Sequence, residues 1–550
     1  MSASADLNRL GTEFWEWRAA TAFHTSDDIP RLARPAGWVP RFDPESIEQH
    51  RSRRQEFAER WATVDLADAD VPTQVDHRLL GSALARVHWE LDVLRNWQRD
   101  AVFLYGQVVG PWFDLLLQPA PFRAQRQHDL VTVLRAMPDA VEEVIANLAG
   151  HGIASLAHVA VGQMESIGER ITASVTAVSE HVDGPTAQAL GDALPPARDA
   201  LIRLRDWLEE HAAALGPDAN IGRDAFIWYL RHVALVAAEP EDLVRAAEQD
   251  YRRAVAAEAA AHASLVTARD QPLAASVDAE VEAQAAAENE VREFYESRGL
   301  LTQPASLRHY RFAPTPAYLE PFAMFGVTDD LGNENRRFEA ATSYIPDPAS
   351  ELPYFDAANA RDPRLGIIHE GAHAQQLALS WGNPRSIRRH VYDSVPNEGL
   401  AHYNEELLLS AGLFAEAPPS QRIVHNFMRL RALRVIVDVN LVTGVFSHAD
   451  AVRFFVKRVP MDSATATEES AMYVATPGLA MSYNVGKHEI QRLLADAMVA
   501  RGGSFDLRAF HDYLWQNGNV PVSLLRWELL GDRSDVDVLD AASGGEPRAS

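Results

Sequence analysis

The chain has 550 residues, 47% hydrophobic and 23% charged, with no cysteine and a formal net charge of −26. By length it holds roughly three or four domains' worth of material, and the absence of cysteine excludes disulfides, thiolate metal sites and cysteine nucleophiles. The acidic balance, with two lysines only (Lys457 and Lys487) and no basic run longer than "RSRR", argues against a nucleic-acid partner.

The start of the chain shows no basic segment followed by an apolar one, so no secretory signal and a cytoplasmic location are expected. No window approaches the ~18 uninterrupted apolar residues of a membrane helix. The most apolar stretch, "LRVIVDVNLVTGVF", is interrupted by Asp438 and Asn440 and reads as core.

The first 300 residues read as successive helices. "DPESIEQHRSRRQEFAERWATV" begins with acids and carries arginines toward its end, as the helix dipole prefers. In "DHRLLGSALARVHWELDVLRNW", Leu79, Leu80, Leu84, Val87, Leu91 and Leu94 recur near a helical period. "PPARDALIRLRDWLEEHAAAL" puts Pro195 and Pro196 where a helix would start. Breaks are expected at "QPAPF" and "ALGPDANIG", and Pro272 in "ARDQP" should divide the segment 240–298 into two helices.

From residue 301 the texture changes. "SLRHYRFAPTPAYLEPF" and "EAATSYIPDPASELPYF" combine prolines, aromatics and short alternations, and predict a few strands. "ATSYIPDP", with Tyr344, is a candidate edge strand able to hold an extended peptide. Helices resume near Arg364. The expected fold is mainly α: an N-terminal helical lobe over 1–300, a lobe with a small sheet and helices over 301–540, and a disordered tail at 541–550.

The chemistry concentrates in "LGIIHEGAHAQQLALSW". On a helix, His369 and His373 at i and i+4 share a face, and Glu370 lies beside them. Two imidazoles that can reach one ion, with a carboxylate positioned to deprotonate water, make the HExxH arrangement of zinc hydrolases. Neighbouring Ile367, Ile368, Leu377 and Leu379 mark a buried helix, in which a histidine pair needs a partner. Glu398, 25 residues after His373 in "SVPNEGLAHYNEELLLSAGLF", is the candidate third ligand. Glu405 is the candidate carboxylate to accept the remaining histidine N–H, and His402 shares its helical face. "EEHAAAL" at His211 and "KHEIQ" at His488 lack a second histidine at the right spacing and carry no metal.

Four motifs, "HEGAHAQQL", "NEGLAHYNEEL", "TPGLAMSYNVGKHEIQRLL" and "FDLRAFHDYLWQNGNVPVSLL", resemble the bacterial family known as domain of unknown function 885, over about residues 300–530. That family is distantly similar to gluzincin peptidases such as thimet oligopeptidase and angiotensin-converting enzyme. The resemblance implies a two-lobed helical fold with one zinc ion at the floor of a deep cleft. Gly371-Ala372 replace the Pro-Gly usual before the second histidine, Leu400 stands where many members have Trp, and Asp438 is followed four residues on by Val442 in place of His.

By analogy with the same peptidases, Tyr483 is the candidate donor to the oxyanion, with His511 as a second donor to that oxygen or to the leaving amine. Lys487 and Arg526 are candidate ligands for a substrate carboxylate. The expected activity is zinc-dependent hydrolysis of an amide bond in a short peptide, or alternatively in a small metabolite or xenobiotic. A non-catalytic peptide-binding protein is the remaining reading, disfavoured by the intact Glu370.

Overall fold

A computed structural model describes residues 3–24, 31–217, 220–263, 273–329, 334–347, 354–459 and 461–541. As expected, the fold is mainly helical with one small sheet. The helix starts follow side-chain caps: Asp43 accepts from the backbone N–H of Ser46 to open Pro44–Ala62, and Asp70 from that of Thr73 to open Val71–His88. The six apolar residues of the 76–97 segment are all buried, although its last turn, Trp89–Leu94, is π-wound.

One helix boundary differs. Pro195 and Pro196 lie inside the helix Gly184–His211 and do not begin it. Its start is set eleven residues earlier by Asp183, which caps Thr186, with Pro185 in the first turn. The 240–298 segment does form two helices, Pro240–Ala263 and Val277–Arg298; Pro272 lies outside the described residues.

The sheet has three strands, β1 (Arg311–Pro314), β2 (Thr328–Asp329) and β3 (Thr342–Ile345), in the order β1-β3-β2. β3 runs parallel to β1, with Tyr344 opposite Ala313, and antiparallel to β2, with Ser343 opposite Thr328. "ATSYIPDP" therefore supplies the central strand, not an edge: its backbone is paired on both sides, Tyr344 N–H donating to Val327 O at 2.7 Å. A peptide could not be added there.

The boundary expected at residue 300 does not separate two cores. One apolar cluster runs from Leu7 through Leu134, Tyr295 and Ile368 to Leu539. A second gathers Trp89, Phe226, Tyr229, Val435, Val439, Tyr473 and Val485. The helix Ser394–Ala411 touches both, through Leu400 in the first and Val395 in the second. Of the tail expected at 541–550, Ala541 ends the helix Ser534–Ala541, and the rest lies outside the described residues.

Candidate metal centre

The HEGAH segment is helical from Arg364 to Ser380, but its winding is not uniform. Ile367–Gly371, carrying His369 and Glu370, is a π-helical turn between α-helical segments. A π turn widens the helix and loosens its hydrogen bonding, and such turns recur at functional sites. Here the Ile368 carbonyl accepts from the Asn404 amide at 2.7 Å, and Asn404 is itself fixed by the Tyr295 hydroxyl at 2.9 Å.

His369, His373 and Glu398 converge. The two histidine Nε2 atoms are 3.3 Å apart, and each is 3.3 Å from Glu398 Oε2. Ligand atoms about 2.0–2.2 Å from a tetrahedral zinc ion lie about 3.3–3.5 Å from one another, so the triangle has the dimensions such an ion requires. The two ring nitrogens of His369 have separate tasks: Nδ1 lies 2.8 Å from Glu405 Oε1 and Nε2 faces Glu398. Without metal a proton on Nε2 bridges to Glu398, in the place a cation would take.

The surroundings of Glu405 are more elaborate than the sequence suggested. Glu405 is 1% exposed, is ion-paired with Arg431 at 2.6 Å and accepts from His402 Nδ1 at 3.2 Å. Burial works against its charge, but Arg431 and the two histidines hold its pKa well below the usual carboxylate range. Burial and the Lys487 charge push His402 down to about 3, so it donates as a neutral ring. Burial likewise opposes charge on Glu398, yet His373 and His369 hold it low. For His369 burial is outweighed by hydrogen bonds to Glu398 and Glu405, which raise it to about 9.

The three donors and Glu370 line a cleft of about 1060 Å³. Its walls come from both expected lobes, including Pro111, Phe113 and Arg126 on one side and Tyr392, Asn397 and Tyr483 on the other. Glu370 is exposed to this space. The Tyr483 ring lies nearly parallel to His369, 12° between planes and 5.9 Å between centroids. Arg434 covers the ring 4.9 Å from its centroid and is paired with Glu469 at 2.6 Å. The helix bearing Tyr483, Leu479–Arg501, is started by Asp438, whose carboxylate accepts from Gly478 and Met481 N–H at 3.1 and 2.9 Å. Asp438 thus has a capping task, while Val442 is buried in the second core cluster.

Four other expected site residues lie elsewhere. Lys487 is 4% exposed and paired with Glu406 at 3.1 Å and Asp250 at 3.4 Å, so its charge is spent inside the protein. Arg526 is held by Asp496 and Asp532 at 2.5 and 2.6 Å. His511 is fully buried, its Nδ1 2.6 Å from Leu300 O and its Nε2 2.8 Å from the Tyr403 hydroxyl. Because a carbonyl only accepts, Nδ1 donates and Nε2 accepts from Tyr403, which leaves no proton for an oxyanion. The Tyr344 hydroxyl donates to Leu117 O at 2.9 Å and the side chain packs as core. None of the four lines the cleft.

Arg431 and Arg434 were missed. The signal was available: arginines inside the apolar run "LRALRVIV" must be buried, and a buried arginine needs an acid.

A helical scaffold that brings two histidines and two glutamates together beneath a large cleft defines the class, a helical protein with a candidate mononuclear metal site. The chain belongs to the family described as bacterial protein of unknown function (DUF885), whose model matches residues 30–529. Two solved structures share the fold. A "putative lipoprotein" of unknown function from Shewanella oneidensis is 16% identical, with a TM-score of 0.68 over 96% of this chain and 100% of its own. A "putative lipoprotein" from Colwellia psychrerythraea is 15% identical, with a TM-score of 0.75 over 98% and 100%. No curated protein matches the chain. Among the described residues no helix is long and apolar enough to cross a membrane.

Proposed function

We propose that this protein is a zinc-dependent hydrolase of amide bonds acting on peptides, with His369, His373 and Glu398 as metal ligands. The observation that carries the reading is the triangle of donor atoms, 3.3 Å on each side, with His369 Nδ1 held 2.8 Å from Glu405. An ion of this kind supplies a water with its pKa lowered toward 7 and polarises the substrate carbonyl.

The chain's own residues do the remainder. Glu370, next to a ligand and open to the cleft, takes a proton from the attacking water and passes it to the leaving nitrogen. Tyr483, on the wall that stacks against His369, donates its hydroxyl hydrogen to the oxyanion. Burial, and then the Glu398 charge, hold the Tyr483 pKa well above its ordinary value, so the phenol keeps its proton and remains a donor through the neutral range. Glu405, ion-paired with Arg431, faces His369 Nδ1 and so orients the ring with Nε2 toward the metal position. The set of histidine, histidine and glutamate with an adjacent glutamate is also the basis for the likeness to gluzincin peptidases.

The test is hydrolysis of a mixed peptide library and a panel of small amides by zinc-loaded protein, beside Glu370→Gln. The reading requires cleavage of an amide that stops on chelation, returns with zinc and falls by about 10²–10⁴ in the variant. Zinc-loaded protein that cleaves no amide, or a variant as active as the wild type, would refute it. We keep the cytoplasm as the proposed location; the description of the two similar structures as lipoproteins makes the cell envelope the alternative, and fractionation of the native host separates them.

A further inference from the structure

We infer that His24 is a substrate-contacting residue, standing where the metal cleft continues into a second cavity, and that it makes the protein select extended peptides over small amides. The inference rests on the amide-hydrolase reading above and names its substrate class more narrowly.

The second cavity, about 1460 Å³, shares two lining residues with the metal cleft of about 1060 Å³, namely His24 and Phe325. Pockets that take a drug-sized molecule measure about 300–1,000 Å³. Either space alone exceeds that range, and a small amide would leave most of both filled with water. An extended chain advancing about 3.3–3.6 Å per residue can occupy one and pass the shared residues into the other.

His24 is held at this junction with unusual completeness. Three positions on one face of the helix Ala101–Leu117 fix it. Gln107 clamps its backbone from both sides, accepting from His24 N–H at 2.9 Å and donating to His24 O at 2.6 Å. Gly110 leaves room for the ring: a Cβ there would lie 2.4 Å from His24 Nδ1. Asp114 Oδ1 lies 3.1 Å from Nε2. A carboxylate accepts only, so Nε2 carries the proton and Nδ1 the lone pair, and the ring offers an acceptor to a peptide N–H. The beginning of the chain is thus tied to residues more than eighty positions away, which places His24 in the lining of both cavities. Phe325, packed against Tyr105 and Phe113 at 5.7 Å, supplies the apolar side of the same passage.

The experiment uses the full zinc-loaded chain carrying Glu370→Gln to stop turnover, with fluorescein-labelled peptides of two and eight residues, read by fluorescence anisotropy. The eight-residue peptide should bind at least tenfold more tightly than the two-residue one. Adding His24→Ala should reduce that ratio to below threefold with zinc content unchanged. Gly110→Ala, which displaces the ring without removing it, should reduce it as well. Equal affinity for both lengths, no peptide binding, or a ratio untouched by both substitutions would overturn the inference, even if small amides were hydrolysed. Anisotropy reads binding and not turnover, so a protein that binds the longer peptide through His24 yet cleaves nothing would sink the hydrolase reading alone.

Discussion

Replacing Glu405 by Gln tests how the metal site is assembled. Glu405 faces His369 Nδ1 and Arg431 through Oε1 and accepts from His402 through Oε2. Glutamine keeps the shape and can still accept from Arg431 through its carbonyl oxygen, so the fold should survive. Arg431 and His369 meet the same oxygen, Oε1, so the NH₂ group falls in the place of Oε2 facing His402, and His369 Nδ1 is left with an uncharged acceptor that supports it less well as a ligand. Loss of such an outer partner costs about 10–100-fold in metal affinity, or about 1.4–2.8 kcal/mol at about 1.4 kcal/mol per decade. Zinc affinity is measured by competition with a chromophoric chelator, with circular dichroism as the control for folding. A folded Glu405→Gln protein that binds zinc within twofold of wild type would refute the argument that the Glu405 charge supports His369 as a ligand.

Three other outcomes follow from the geometry. Tyr483→Phe should keep its zinc and lose about 10²–10³ in kcat on whichever amide the library reveals, and an unchanged kcat would remove Tyr483 from the chemistry. Gly486→Ala should destabilise the fold by about 1–3 kcal/mol in urea unfolding, because a Cβ there would meet Val395 O at 2.0 Å and Gly399 Cα at 2.7 Å; no change in the midpoint would mean that the two helices do not approach as described. In metal-free protein the His369 pKa is raised from 6.5 to about 9, so zinc must displace a proton below pH 9. Apparent affinity should climb with pH by up to about tenfold per unit and flatten above pH 9, whereas a pH-independent affinity would contradict the assignment. The sign for stability is opposite: a raised histidine pKa stabilises the metal-free fold below pH 6.5, and that contribution fades as pH rises through 9.

What the sequence revealed and what it hid divide along physical lines. His369 and His373 were legible because helical spacing is local, and Glu398 and Glu405 because seven residues separate them on one helix. The π turn at Ile367–Gly371 was not, since it depends on Asn404 and Tyr295 arriving from other segments. Lys487 and Arg526 look like free cations in a sequence; their acids, Asp250 and Glu406 for one and Asp496 and Asp532 for the other, become partners only when the helices pack. Pro195 and Pro196 were misleading because position within a helix is set by the cap, and Asp183 lay upstream. β3 read as an edge because β2, its second neighbour, is two residues long and carries almost no pattern. That one apolar cluster spans the expected boundary could not be read locally, because it depends on which helix faces meet across it.

The most direct test of the central claim is the zinc content of the purified protein by mass spectrometry, wild type beside His373→Ala and Glu398→Ala. These side chains supply two corners of the 3.3 Å triangle. The account predicts about one zinc ion per chain in the wild type and its loss in both folded variants. A wild type that stays metal-free after incubation with zinc, or variants that hold zinc as well as it does, would contradict it.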